Sequence, residues 1–274
     1  MKVALSSVVL LLFALSSAFA ILAPTTAPST QAATQGSGAR TVFLVGIDFE
    51  PSWRDFAALT TVPAARHINN GQPVILLVPT DSEAEDRSAS FLAQYKPEVT
   101  YAVAIARPVQ SIPGEDQFAV AAELATRFWG SVKTAVLAPH EAYASALLGA
   151  TLAARLDLPL LYVTPSTVPS VTRSTLQTLQ SDTVLFVGSS STSVLAELQD
   201  MGIAVSVLPD AEAVTRFLRQ STLTVNYVVL SNPWDRGYDG QVTKLSLLSP
   251  ILAADHGGMI YPKEVVVQLS LIHI

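Results

Sequence analysis

The stretch that decides the fold is residues 134–165, TAVLAPHEAYASALLGATLAARLDLPLLYVTP. It contains a short apolar run, an alanine- and leucine-rich segment with helical spacing, and a second apolar run followed by proline. Alternation of apolar runs with helical segments predicts parallel strands joined by right-handed helical crossovers. The stretch therefore predicts a Rossmann-like α/β module with strands at Ala135 to Ala138 and Leu160 to Val163, and a helix at Ala142 to Leu156.

The same order of segments occurs nearly three times in the chain. The helical segments align on Ala-Ala pairs that begin at Ala64, Ala153 and Ala253. A period of roughly 90 to 100 residues is too long for a solenoid repeat and fits one small α/β module per copy. We therefore predict tandem Rossmann-like modules with parallel sheets, of which two are complete. The predicted modules span 41–131, 132–222 and, truncated, 223–268.

Periodicity and turn residues predict further elements. In the second module they are Ser170 to Gln180 (helix), Thr183 to Val187 (strand), Ser193 to Met201 (helix), Ala204 to Leu208 (strand) and a helix after Pro209-Asp210. In the first they are strands at Val42 to Gly46, Val74 to Val78 and Thr100 to Ile105, and helices at Trp53 to Ile68, Arg87 to Tyr95 and Gln117 to Trp129. In the third they are a strand at Asn226 to Leu230, a helix at Val242 to Ala254 and a strand at Met259.

The N-terminal residues have the pattern of a secretory leader. Lys2 is followed by the apolar run Val3 to Leu15 and by Ala18-Phe19-Ala20, an A-x-A cleavage signal. We predict a signal peptide at 1–20 and an exported protein at the cell surface or outside the cell. Residues 21–40 are rich in Thr, Ala, Pro, Ser, Gln and Gly, which predicts a flexible linker.

Composition excludes several classes of function. The formal charge is −6, and removal of Lys2 with the leader makes it about −7, so nucleic acid is not an expected partner. The chain has no cysteine, which excludes a disulfide framework. After the leader, no apolar run approaches the ~20 residues of a membrane span. Several loop carboxylates could bind a hard cation, but no metal-ligand spacing recurs around them, and we predict neither metal nor cofactor.

The last six residues, 269–274 (LSLIHI), resemble the translation of a transposase adapter used to prepare sequencing libraries. On this interpretation the chain is a fragment that was cut within its third module. His273 then has no functional role.

Several motifs occur in the same order in the first two modules. The run PVILLVP contains Ile75, Leu76 and Leu77, and SALLGATLAA occupies 145–154. The run TVLFVGSS contains Gly188, and GEDQFAVAAELA begins with Gly114 and Asp116. In this order, the motifs resemble the type 2 cell-wall-binding repeat family of prokaryotic surface proteins, with Gln117 where that family usually has arginine.

The resemblance implies a noncatalytic anchor. It implies three modules that pack around a pseudo-threefold axis and hold an anionic wall polymer in grooves where the modules meet. The partners it implies are a cell-wall or surface polymer and the other modules of the same chain.

Candidate binding residues lie where predicted strands end. Open parallel sheets bind ligands beyond the carboxyl ends of their strands. Charged or titratable side chains there include Asp48, Arg54, His140, Glu141, Asp235 and Arg236. A His-Glu pair can act as acid and base, but adjacent side chains on an extended chain point to opposite sides. Arg66 and Arg155 follow matching Ala-Ala pairs, and this recurrence makes them candidates for polymer contact.

Three functional hypotheses follow. The first is a surface protein that binds a wall or S-layer-associated polymer and anchors the protein to the envelope. The second is an extracytoplasmic receptor for a small molecule, because Rossmann-like modules also form clefts. The third, a hydrolase, depends on His140 and Glu141 and on the acidic loops.

The truncated third module exposes apolar residues unless it packs on the other two. We expect that it does pack on them. The residues concerned are Val228, Val229, Leu230, Leu247, Leu248 and Ile251.

Overall fold

Within its described residues, the first module contains one four-stranded parallel sheet and three helices. The computed structural model describes residues 40–48, 52–79, 84–221, 223–233 and 244–263. The elements of the first module are β1 (Thr41–Ile47), α1 (Trp53–Ile68), β2 (Ile75–Pro79), α2 (Ala84–Tyr95), β3 (Val99–Val103), β4 (Gln110–Ile112) and α3 (Gln117–Phe128). The strand order is β2-β1-β3-β4.

The second module repeats this arrangement in the strand order β6-β5-β7-β8, again with parallel pairing. Its elements are β5 (Thr134–Pro139), α4 (Tyr143–Leu156), β6 (Leu160–Val163), α5 (Ser170–Thr178), β7 (Thr183–Val187), α6 (Thr192–Asp200), β8 (Ala204–Leu208) and α7 (Ala211–Gln220). The predicted α/β class with parallel sheets is confirmed.

In the third module, the described residues form two parallel strands and the helical segment between them. Its elements are β9 (Val228–Ser231), a 3₁₀ helix (Leu245–Leu248), α8 (Ser249–Asp255) and β10 (Met259–Pro262). A single helix was predicted from Val242 to Ala254. From Lys244 onward, where the structure describes this segment, the prediction was wrong, because a 3₁₀ helix comes first and the α-helix begins at Ser249-Pro250. Proline lacks an N–H and is favoured in the first turn of a helix.

Some predicted residues lie outside the described ranges. They are the leader at 1–20, the linker up to residue 39, Asp235, Arg236 and residues 269–274. Within the ranges that the structure describes, no helix is long and apolar enough to cross a membrane.

Local sequence explains why the first module's elements begin where they do. All seven residues of β1 are buried, as expected for a central strand covered on both faces. The α1 helix begins with a capping box in which the Ser52 hydroxyl accepts from the Arg54 N–H and the Asp55 carboxylate accepts from the Ser52 N–H. The short strand β4 was not predicted from the sequence, because its Gln110 and Ser111 are exposed and show no apolar alternation.

The modules pack on each other mainly through helices. The α1 helix packs on α4, α4 packs on α8, and α8 also contacts α1. Val62, Ala154 and Ala254, one residue from each of these helices, form a buried cluster. The α3 helix of the first module packs on β6 of the second, and α7 of the second module packs on β10 of the third. The two junctions between consecutive modules therefore use equivalent elements.

The third module is buried on one side and exposed on the other. Leu247 is 2% exposed and joins the main core, and Val229 and Ile251 are partly buried. The expected burial of Val228 and Leu230 was wrong, since they are 61% and 65% exposed, and Leu248 is 36% exposed. The physical reason is that β9 has β10 as its one strand neighbour within the described residues, so part of β9 stays open.

Arg155 joins the second module to the third. Its Nη1 donates to the Gly258 carbonyl and its Nη2 to the Thr224 carbonyl, both at 2.7 Å. Gly258 directly precedes β10, and Thr224 lies in the segment between α7 and β9, so one guanidinium binds the chain ahead of both strands.

We expect Arg155→Met to loosen the third module. Hydrogen bonds from a charged donor contribute about 1.5–3 kcal/mol each, so amide exchange in β10 should accelerate at least about tenfold. Exchange in β5 should be unchanged. The matched control is Arg216→Met on α7, because Arg216 pairs with Glu212 of its own helix. Equal exchange rates in β10 for Arg155→Met and the control would contradict this role.

Candidate functional site

Asp48 and Arg54 meet at the carboxyl end of the first sheet. Asp48 follows β1, and Arg54 lies in the first turn of α1. The Arg54 Nη1 donates to both Asp48 oxygens, at 2.8 and 2.6 Å, while its Nε donates to the Ala104 carbonyl at 3.0 Å. The structure therefore brings two predicted residues together, and Arg54 ties the end of β1 to the segment after β3.

His140 and Glu141 lie at the end of β5, near the junction of the first two modules. The expectation that they point apart was wrong, because they lie in a turn and His140 Nε2 is 3.7 Å from Glu141 Oε1. The His140 Nδ1 is 3.2 Å from the Val163 carbonyl, and its ring contacts Phe118 of α3. The Glu141 side chain is 66% exposed. This pair presents one exposed carboxylate next to a histidine held by its neighbours.

Arg66 and Arg155 occupy matching positions in α1 and α4, and both bind carbonyls that follow helices. The Arg66 Nη1 donates to the Gly71 carbonyl at 3.0 Å. The pKa of Arg155 is lowered by burial and by the positive charge of Arg66. The third copy has Asp255 at the matching position. The recurrence of arginine is therefore accompanied by structural contacts within and between modules.

The motif residues support the turns and the core. Asp116 caps α3 by accepting from the Ala119 N–H at 2.7 Å. Gly188 has a φ of +106°, and a Cβ there would collide with the Ser145 hydroxyl. A Cβ on Gly114 would lie 2.7 Å from the Val120 nitrogen. The remaining motif residues, Ile75, Leu76 and Leu77, lie in β2 and pack in the first module's core.

An open groove of about 390 Å³ runs between α3 of the first module and α5 of the second. Each helix contributes residues at i, i+3, i+4 and i+7: those from α3 begin at Ala119 and those from α5 at Val171. Pro113 and Gly114, which precede α3 in the chain, also line the groove. Apart from Gly114, which belongs to a family motif, these residues were not predicted to form a site, because none of them belongs to a charged loop.

Residues 111–198 match the family model of cell wall binding domain 2, CWB2.

The CWB2 match confirms the resemblance predicted from the sequence for this part of the chain. It runs from β4 to α6, so it crosses the junction of the first two modules and includes both helices of the groove. No match was found among curated proteins.

Two solved structures share the fold. Cwp6 from Clostridium difficile aligns with a TM-score of 0.63 at 16% identity, covering 83% of this chain and 38% of that chain. Cwp8 from Clostridium difficile aligns with a TM-score of 0.60 at 19% identity, covering 82% and 40% respectively. This chain spans less than half of the length of either protein.

A buried ion pair outside the CWB2 match joins the first and third modules. Asp55 of α1 and Lys244, just before the 3₁₀ helix, are 4% and 7% exposed, and the Lys244 Nζ lies 2.5 Å from Asp55 Oδ2. Nearby, the Tyr143 hydroxyl and the Ser246 hydroxyl are 2.7 Å apart and join the second module to the third. Asp55 and Lys244 each precede the Ala-Ala pair of their own module by nine residues. An alignment of the repeats residue by residue would therefore have shown that the two charged residues occupy matching positions.

The environment of Asp55 acts on its carboxyl in two directions. Burial raises its pKa above the usual value, whereas Lys244 and the Ser52 N–H lower it. Within the part of the chain that the structure describes, the Asp55 Oδ1 is buried and has no hydrogen-bond partner. A carboxyl with a raised folded-state pKa contributes most stability at low pH, and this contribution falls as the pH rises through that pKa.

We expect Lys244→Met to destabilise the protein by about 3–5 kcal/mol at neutral pH, because it leaves a buried carboxylate without its counter-ion. Without Lys244, the pKa of Asp55 rises further, so protonation should reduce the loss at about pH 4.5 relative to about pH 8. Urea unfolding at both pH values measures the effect.

The control is Asp55→Asn combined with Lys244→Met. The asparagine oxygen still accepts from the Ser52 N–H, and no buried charge remains. The double variant should be more stable than Lys244→Met at the higher pH, and its free energy of unfolding should change less between the two pH values. A Lys244→Met variant as stable as the parent at both would refute the assigned role of the pair.

Proposed function

We propose that this chain is an exported, noncatalytic surface protein whose modules bind a cell-wall or S-layer-associated polymer and anchor the protein to the envelope. The observation that carries this proposal is the CWB2 match at 111–198, which covers the contact between the first two modules. The parallel sheets and the shared fold of Cwp6 and Cwp8 are consistent with it. A repeated module of this kind multiplies a binding surface.

The proposal includes the organisation of the chain. The modules span 41–131, 132–222 and 223–268, preceded by a leader at 1–20 and a linker at 21–40. Residues 269–274 are adapter-derived and make no contribution to binding.

The binding surface that we propose lies at the junction of the first two modules. The α3 helix borders both candidate regions there, because Phe118 contacts the His140 ring and Ala119 lines the groove. Arg54 and Arg155 each use two guanidinium nitrogens to bind two other residues of the protein. A polymer that contacted either arginine would therefore compete with existing hydrogen bonds. An open groove supports an extended polymer as ligand in preference to an enclosed small molecule.

Sedimentation of the chain with isolated cell walls from a panel of Gram-positive bacteria tests this function. We expect retention on at least one wall type to exceed that of an unrelated protein of equal negative charge. Retention should fall when the wall's secondary polymers are extracted, because the polymer is the proposed ligand. Wall material should release no soluble fragments during incubation, since the chain is proposed to be noncatalytic. Retention no better than that of the acidic control on every wall would exclude the proposal.

A further inference from the structure

The polar wall of the groove between α3 and α5 consists mainly of hydroxyl groups. Thr126 lies on α3, and Ser174, Thr175 and Thr178 lie on α5. Glu123 of α3 is the charged residue among those that line it. The rest of the lining is small and apolar. Thr126, Ser174 and Thr178 are exposed whereas Thr175 is 3% exposed, so the first three carry the hydroxyl groups that a ligand in the groove would meet.

Each of these four hydroxyl groups already donates its hydrogen to its own helix. The bonds are Thr126 to the Ala122 carbonyl at 2.8 Å, Ser174 and Thr175 to the Val171 carbonyl at 2.9 and 2.7 Å, and Thr178 to the Ser174 carbonyl at 2.9 Å. A hydroxyl has one hydrogen and two lone pairs. With its hydrogen engaged, a hydroxyl group can offer a ligand only the lone pairs of its oxygen and therefore acts as an acceptor.

The charged side chains near the groove also offer acceptors to a ligand, or are already bound within the protein. Glu123 presents a carboxylate, and Arg127, one turn further along α3, donates from its Nε to Glu123 at 2.9 Å and from its Nη1 to the Ser111 carbonyl. At the other end of α3, the Asp116 carboxylate occupies the N-terminal cap, where an anion would otherwise be attracted. Recognition of a phosphate requires donors, and these side chains offer acceptors.

We infer that the groove between α3 and α5 binds a sugar segment through the hydrogens of its hydroxyl or ammonium groups, and does not bind the phosphate groups of an anionic polymer. This inference rests on the proposed function and specifies the ligand class at that surface. It differs from the anionic polymer that the family resemblance implies.

The size of the groove is consistent with a short segment of a longer chain. Its volume of about 390 Å³ lies near the lower end of the range for ligand sites. An open site of this kind holds one segment weakly. A polymer with a repeated sugar can bind several protein molecules at once, and avidity then supplies the overall affinity.

Amide chemical shifts of the full chain, measured by NMR during titration, test the inference. The probes are a tetramer of N-acetylglucosamine (neutral), a tetramer of glucosamine (cationic) and poly(glycerol phosphate) (anionic). We expect shifts at Ala119–Thr126 and Val171–Thr178 with either or both sugars and none there with poly(glycerol phosphate). A response only to the neutral N-acetylglucosamine tetramer identifies hydroxyl groups as the donors, and a response only to the cationic glucosamine tetramer identifies ammonium groups. No shift there with either sugar, or shifts with the anionic probe, would overturn the inference.

The variant that removes groove acceptors is Thr126→Val, Ser174→Ala, Thr178→Val. Each substitution keeps the approximate shape of the side chain and removes the accepting oxygen, so sugar affinity should fall at least about tenfold. The matched control is Thr215→Val on α7, whose hydroxyl donates to the Ala211 carbonyl at 2.7 Å in the same way, outside the groove. Equal sugar affinity of the triple variant and the control would overturn the inference.

The two proposals fail separately. Wall retention that persists in the triple variant, together with no sugar shifts, leaves the proposed function standing and removes the groove as its site. Sugar shifts without wall retention support the groove chemistry and exclude the anchoring function.

Discussion

The close contact of α1, α4 and α8 is the constraint on which the rest of the structure depends. Val62, Ala154 and Ala254 meet there, and alanines at this contact let the helix backbones approach closely. Because each helix is fixed to the sheet of its own module, this contact also sets how the sheets are placed. It brings α3 onto β6 and α5, which creates the groove, and brings α7 onto β10.

Directional polar contacts fix the register of this packing. The Thr60 hydroxyl of α1 donates to the Leu160 carbonyl at the start of β6 at 2.7 Å, and the Tyr162 hydroxyl donates to the Phe56 carbonyl at 2.8 Å. At the helix N-termini, the Asp55–Lys244 pair links the third module to the first. Breaking a buried ion pair typically costs more than its presence contributes, so we expect this pair to favour the observed arrangement of the modules over arrangements that leave either charge unpaired.

The regular elements and the packing of the third module on the other two could be predicted from the sequence, whereas the polar side-chain contacts between modules could not. Helix α1 was predicted with its observed bounds, because its apolar positions follow the helical period. Arg155 was predicted to contact polymer, yet its guanidinium is bound to two carbonyls of the third module. The Asp55–Lys244 pair and the groove hydroxyls were missed, since they depend on residues distant in sequence or on helix faces that local periodicity does not distinguish.

Amide hydrogen exchange of Ala154→Leu measures most directly whether the three-helix contact couples the modules. Overpacking a buried contact typically costs about 1–3 kcal/mol. If the contact couples the modules, exchange should accelerate in β1 and β10 as well as in the second module, where the substitution lies. The control, Ala89→Leu at an exposed position of α2, should leave all three unchanged. Faster exchange confined to the second module would contradict the account.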